Sequence, residues 1–356
     1  MKRVLLCERS LSGHRKQYLS WLASISGVEI FVCAPENIGV DAAHFVLLQP
    51  DEIGKNLRAY YLWVRKLRSI VRKFNIDVVH ILDGDSIMRY FGWGFSGFGA
   101  ERIIITYHHF FEGFARKISY RMMNWSKGAL SVVHTENVKE ELAKAGVKRV
   151  AVCQYPAFDF ESLAQRNPIE CRRYFDLPQE VPVIGIVGGM SRYKNIIPFL
   201  QAMKGCKQPF HILICGAAND ITEEEIRTAS ATYAQNVTTI VRHLSEEEYK
   251  NAIVASDIIY CIYGHEFNGA SGPLTDGVCA EKMILACRHG SLGRIVECKH
   301  LGYIAECDNP EEIVSETENA LRSAQEFRYN EEALAYRNEL RPKHFCVKYK
   351  ELYSEL

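Results

Sequence analysis

Short, unbroken apolar runs alternate with amphipathic stretches along nearly the whole chain. A first series reads "RVLLCE", "VEIFVCA", "DVVHIL", "RIIITYHH", "ALSVVHT" and "VAVCQY". A second reads "VIGIVGG", "FHILICG", "VTTIVR", "IIYCIY", "MILACR" and "YIAE". Each run is rich in β-branched residues and lacks the alternation of a half-exposed strand, so each is predicted as a strand buried on both faces of a parallel sheet. Helical spacing lies between them, as in "NVKEELAKAG" and "EEEYKNAIVAS". This is the α/β layout twice over. The segment from Pro156 to Pro182 breaks the rhythm with prolines and mixed charge, and reads as the interdomain connection. The tail from Glu331 has a helical pattern interrupted at Pro342, which lets the last helix change direction. The pattern therefore predicts a first Rossmann-like domain over residues 1–160 and a second over 161–338. A final helix over 339–356 is expected to pack back on the first. Doubly wound domains bind ligands outside the carboxyl ends of their strands. Two of them facing across a cleft would draw their site from the strand-end loops of both halves.

Bulk composition narrows the function classes. Of 356 residues, 47% are apolar and 24% charged, and the formal net charge is zero, so no global field favours nucleic acid. The N-terminal "MKRVLLCERS" has too short an apolar core for a signal peptide. No apolar run approaches the ~18 residues that a membrane span requires. The 12 cysteines never fall in C-x-x-C spacing, and several lie inside apolar runs. They read as small buried residues of a reduced, cytoplasmic protein rather than as a disulfide frame or zinc site.

The chemistry concentrates at two strand ends of the second half. "VIGIVGGMSRYKN" (Val183 to Asn195) is a strand, a glycine turn at Gly188 and Gly189, then Arg192 and Lys194 before a helical pattern. Its spacing fits neither G-x-G-x-x-G nor the Walker pattern, which disfavours a nicotinamide dehydrogenase and a P-loop protein. Two cations at i and i+2 of an extended loop would instead straddle a diphosphate. In "YGHEFNGASGPLTDG" a strand ends at Tyr263, and its loop carries His265, Glu266 and Asn268. Ser271 then reads as an N-cap with Gly272 and Pro273 in the first turn, so free N–H groups face a phosphate. Asp276, about one turn further, suits a ribose hydroxyl pair. Gly216 ends another strand in "ILICGAAND", and "VRHLSEEEY" is a further strand-end loop; either is open to a nucleobase.

Together these residues resemble the retaining, nucleotide-sugar-dependent glycosyltransferases of GT-B fold, the family 4 type. The likeness runs over the whole chain and is densest from Val183 to Glu312. It implies that Gly189, Arg192 and Lys194 hold the donor diphosphate, with Gly216, Ser271 and Gly272 also on the donor side. It implies that Asp276 holds the donor ribose in the place of the family's second glutamate. "LGYIAECDNPEEI" is similar to the family's closing stretch. The family's first glutamate falls on Asn268 when eight residues are counted back from Asp276, or on Glu266 if the loop is two residues longer. In the first half, "LSGHRKQYLSWL" resembles the glycine turn after the first strand, with Gly13 and His14 facing the cleft. "ITYHHFFEG" resembles the loop whose histidine sits near the transferred sugar; of His108 and His109, His109 is preferred. "LDGDS" looks like a D-x-D metal motif but sits at a strand end, where it reads as a turn and helix cap.

The resemblance implies a metal-independent, retaining hexosyltransferase of polysaccharide biosynthesis. Its donor would be a UDP- or GDP-sugar, its acceptor a glycan or lipid-linked glycan, and it needs no further cofactor. Its leaving diphosphate would be stabilised by Arg192, Lys194 and the helix start after Ser271. A non-catalytic accessory subunit and a nucleotide-sugar epimerase share the architecture and stay open. Residues 55–74 carry seven basic residues and no acid, with Leu57, Tyr61, Val64, Leu67, Val71 and Phe74 at helical spacing. Such a helix packs on a sheet, and its basic face is also suited to peripheral contact with the inner membrane face.

Overall fold

The computed structural model describes residues 1–11, 15–40, 43–47, 56–91, 100, 102–111, 113–124, 129–157, 159–267 and 269–354. In chain order the elements begin with β1 (Arg3–Cys7), α1 (Arg15–Ala23), β2 (Glu29–Ala34), β3 (Ala43–Leu47), α2 (Leu57–Phe74), β4 (Val78–Ile81) and α3 (Gly84–Phe91). Then come β5 (Arg102–Tyr107), α4 (Phe114–Met123), β6 (Ala129–Val133), α5 (Glu136–Lys144) and β7 (Val150–Val152). Next follow α6 (Phe160–Gln165), α7 (Pro168–Tyr174), β8 (Val183–Val187), α8 (Ile196–Ala202), β9 (His211–Gly216), α9 (Glu223–Ser230), β10 (Val237–Val241) and α10 (Glu246–Ala255). The chain ends with β11 (Ile258–Cys261), α11 (Gly272–Cys279), β12 (Met283–Cys287), α12 (Gly290–Cys298), β13 (Gly302–Ala305), α13 (Pro310–Ser323), α14 (Glu331–Glu339) and α15 (Pro342–Ser354).

The chain divides into two compact units, Met1–Phe158 with Pro342–Leu356, and Asp159–Arg341. In the first, seven described strands form a parallel sheet of order β3-β2-β1-β4-β5-β6-β7; in the second, six form one of order β10-β9-β8-β11-β12-β13. Each order reverses direction beside its first strand, between β1 and β4 and between β8 and β11. Such a reversal opens a crevice at the carboxyl ends, because the helices on either side leave in opposite directions. The central strands are buried on both faces, as their unbroken apolar runs require. Local signals set the helix starts. Thr222 and Ser245 form capping boxes with Glu225 and Glu248, and Asn309 caps a helix opened by Pro310.

In the first unit a second apolar layer joins α1 to α15. Tyr18, Leu19 and Leu22 pack with Phe345, Tyr349, Leu352 and Tyr353. The α2 face differs from the sequence reading. Tyr60, Trp63, Val64, Leu67, Ile70 and Val71 are buried, whereas Leu57 and Tyr61 are 46% and 53% exposed. Apolar residues sit on both flanks of the first turns, so the spacing alone fits two stripes, and the stripe with Tyr60 and Trp63 takes the core. Lys55 lies outside the described residues. No described helix is long and apolar enough to cross a membrane.

Candidate functional site

At the carboxyl end of β8 the backbone turns at Gly188, whose φ of +90° is open to glycine without strain. A side chain at Gly216 would strike the Gly188 carbonyl, so the β8 and β9 ends approach as only glycine permits. The following residues are not extended. Arg192–Lys194 form one turn of 3-10 helix. At three residues per turn, positions i and i+2 point to different sides, so the two cations diverge rather than straddle one point. Arg192 is exposed, donates to Glu225 at 2.9 Å, and its backbone N–H donates to Asp220. Lys194 turns inward. Its buried Nζ donates to the Val187 carbonyl at 2.9 Å, and a side chain at Gly188 would meet both this Nζ, at 3.4 Å, and the Pro273 ring at the start of α11, at 4.0 Å. Among the described residues it has no carboxylate partner. Burial pushes the ammonium down to about 8.

Ser271 caps α11, accepting from the Leu274 N–H at 3.4 Å, and lies 3.2 Å from the Tyr263 hydroxyl. Gly272 is the first helical residue and Pro273 the second. The positive end of this helix and the Lys194 ammonium converge on one place, and two positive poles without a counter-charge are a demand for an anion. Asp276 is buried deeper in α11, and its Oδ2 accepts from the Tyr249 hydroxyl of α10 at 2.8 Å. Burial pushes this carboxyl up to about 7, against the lowering effect of that hydrogen bond. Gly272 lies beside the same hydroxyl. Tyr249, absent from the sequence reading, thus joins the site from a helix whose own pattern signals only a solvated acidic start.

Glu266 is exposed in the loop after β11. That loop is tied to the Lys194 turn, because Gly264 N–H donates to the Tyr193 carbonyl at 2.7 Å and Phe267 stacks on Tyr193 at 5.5 Å. Gly189 sits against Asn219, whose amide donates to Ser191. Asn268, Gly13 and His14 lie outside the described residues.

The first unit holds its own cluster at the ends of β1, β4 and β5. Glu8 and Asp83 are buried and share Arg15, at 3.1 and 3.0 Å, while Arg9 also donates to Asp83. Burial works against charge at Asp83, yet Arg15, Ser86 and Arg9 hold its carboxyl below the usual range; at Glu8 burial prevails and raises it. Asp85 spends its Oδ2 on the backbone N–H groups of both His108 and His109. Burial and the Asp83 charge push it up to about 7. "LDGDS" is therefore a helix start that also holds the histidine loop. The His108 ring lies 3.1 Å from the Leu82 carbonyl and packs with Tyr18, His134 and Tyr155. The His109 ring instead lies beside Phe111. Burial, then the Arg15 charge, lower the His109 imidazole below its ordinary value.

Residues 18–157 match the model of Glycosyltransferase Family 4. No curated protein matches the sequence. Solved structures resemble the whole chain. A glycosyltransferase from Rickettsia africae is 17% identical with a TM-score of 0.76, covering 99% of this chain and 98% of its own. The sucrose-phosphate synthase of Thermosynechococcus elongatus is 13% identical with a TM-score of 0.75, covering 100% and 99%. HepE of Anabaena, solved in complex with UDP-glucose, is 11% identical with a TM-score of 0.74, and each chain is covered completely. At these identities the likeness speaks for the architecture. The chain has two Rossmann-like domains of the GT-B fold, and its first half is related to glycosyltransferase family 4.

Proposed function

We propose that this protein transfers a sugar from a nucleoside-diphosphate sugar to a glycan or lipid-linked glycan, without a metal at the diphosphate and with retention. The observation that carries the reading is Lys194, a buried ammonium beside the start of α11 with no carboxylate near it among the described residues. A departing diphosphate supplies the missing anion, and fixed donors aimed at developing charge are worth ~3–4 kcal/mol each. Asp276 with Tyr249 takes the ribose hydroxyls, Ser271 and Gly272 the phosphate oxygens, and Glu266 or Asn268 the sugar. Arg192 reaches the diphosphate after exchanging Glu225 for it. Gly13, Gly189 and Gly216 give backbone room on the donor side. His109, held by Asp85, acts near the transferred sugar. UDP is the first base to try, because HepE was solved with UDP-glucose.

The test is thermal stability with UDP, GDP, ADP and NAD, each in EDTA. A ligand at 100 times its dissociation constant adds ~2.7 kcal/mol. One nucleoside diphosphate should stabilise the protein, and Lys194→Ala should abolish that shift and lower turnover more than ~100-fold. A shift with NAD alone overturns the donor assignment. Binding without transfer to any acceptor turns the reading to an accessory subunit, and epimerised donor in the absence of acceptor to an epimerase.

The same reading places the protein in the cytoplasm, in peripheral contact with an anionic membrane face. Support comes from α2, where exposed Arg58 and Arg65 lie within about a turn of exposed Leu57, Tyr61 and Leu62, and Arg72 and Lys73 are exposed further along the helix. Co-sedimentation with anionic vesicles at low salt, lost at high salt, is the expected result; failure to sediment removes the membrane contact.

A further inference from the structure

Three side chains that the donor reading leaves unused meet at the carboxyl ends of β11, β12 and β13. They are His265 in the loop after β11, His289 at the N-cap of α12, and Cys307 just past β13. One ligand atom of each lies within 4.8 Å of the other two. The imidazoles of His265 and His289 face each other with centroids 4.1 Å apart and planes tilted by 31°. Cys307 is buried, and Asp308 Oδ2 lies 3.8 Å from His265 Nε2. His289 is the telling residue. Both of its ring nitrogens are shielded from solvent and have no hydrogen-bond partner among the described residues. A shielded imidazole nitrogen without a partner is costly, and its side chain makes no capping bond to α12 either. The backbone around the cluster is fixed: Ser291 donates to the Gly269 carbonyl at 3.0 Å, and Asn195 to the Cys307 carbonyl at 2.6 Å.

We propose that His265, His289 and Cys307 bind a transition-metal ion of the zinc type, with water or Asp308 in the fourth position. Two imidazoles and a thiolate suit zinc and its neighbours, whereas magnesium and calcium require oxygen. A tetrahedral ion at ~2.0–2.3 Å from its ligands holds them ~3.3–3.8 Å apart. The cluster is therefore open by up to about an ångström, and the exposed His265 is the ligand least held by its surroundings. Binding takes neutral imidazoles and displaces the Cys307 thiol proton to solvent. The ion ties the loop carrying Glu266 to the start of α12 and to the turn before α13.

The full chain, stripped with chelator, is titrated with Co2+ and then with Zn2+. Exposed Cys298 is replaced by Ser throughout, so that a surface thiol cannot imitate the site. One Co2+ per chain should bind with a thiolate-to-cobalt charge-transfer band, and one equivalent of Zn2+ should displace it. Cys307→Ser should remove the band, and His265→Ala and His289→Ala should each weaken Co2+ binding at least ~10-fold. Because His265 is exposed, its variant decides the matter if Cys307→Ser fails to fold. Absence of the band in the parent chain overturns the site, as does a band of undiminished strength in both histidine variants. Stabilisation by UDP in EDTA is a separate measurement, so either proposal fails without the other.

Discussion

Lys194 sits where a cation is unwelcome, and this makes its charge an adjustable quantity. Burial lowers its pKa from 10.5 to about 8. A diphosphate binds the ammonium and not the amine, so above that pH binding must also take up a proton. Above about pH 8 the affinity for UDP should therefore fall toward ~tenfold per pH unit. Lys194→Arg keeps its charge at any such pH, so whatever affinity it retains should be level to pH 9.5. Calorimetry in buffers of different ionisation enthalpy counts the proton directly. A level wild-type profile to pH 9.5 removes Lys194 from the diphosphate site. The sequence showed that a cation follows the glycine turn, because the glycines and the helix start are local. It did not show which of Arg192 and Lys194 turns inward. That depends on one turn of 3-10 helix and on Glu225, which waits on the next helix but one.

At the scale of elements, α15 is held to the first sheet by a buried chain of polar groups as well as by its apolar face. Tyr18 and Tyr349 hydroxyls meet at 2.7 Å, Tyr349 reaches Thr106 at 3.1 Å, Thr106 reaches His80 at 2.8 Å, and His80 reaches Tyr353 at 2.7 Å. Such a chain stabilises while every member is satisfied. Tyr353→Phe leaves one His80 nitrogen unpaired in the core and should cost ~1–3 kcal/mol in urea unfolding at pH 7. Burial, then the neighbouring His108, lower His80 to about 3. The folded form thus binds fewer protons than the unfolded chain between about pH 6.5 and 3. Its contribution is complete above that window and is lost as the pH falls through it. An unchanged midpoint in the Tyr353→Phe protein would show that apolar packing alone holds α15. Both central-strand series were legible, because unbroken β-branched runs have no other comfortable place. The edge strand β3, Ala43–Leu47, was not singled out, since an edge needs less apolar sequence. On α2 the spacing placed Val64, Leu67 and Val71 correctly, and only the first turns differ, because Tyr60 and Tyr61 differ in what they bury and not in type.

For the whole molecule, the two sheets reverse strand order beside β1 and beside β8, and chemistry gathers at both reversals. Pattern alone pointed to strand ends. It could not find Glu8, Arg15, Asp83 and Asp85 as one cluster, since Arg15 bridges Glu8 to an Asp83 that lies far along the chain. Nor could it find Tyr249 beside Asp276, or Cys307 beside His265 and His289, because none of these groups has a motif's spacing. The two clusters make separable claims. If the second unit holds the donor, UDP in EDTA should slow amide exchange at the Gly188–Asn195 turn and at the first turn of α11, because the anion bonds backbone N–H groups there. Exchange near His109 should change little with UDP alone, since that residue is assigned to the transferred sugar and not to the nucleotide. Hydrogen exchange followed by mass spectrometry reads both regions in one experiment. Protection confined to the β1 and β4 ends would move the nucleotide to the first unit and would leave the inward-turned Lys194 without a role in catalysis.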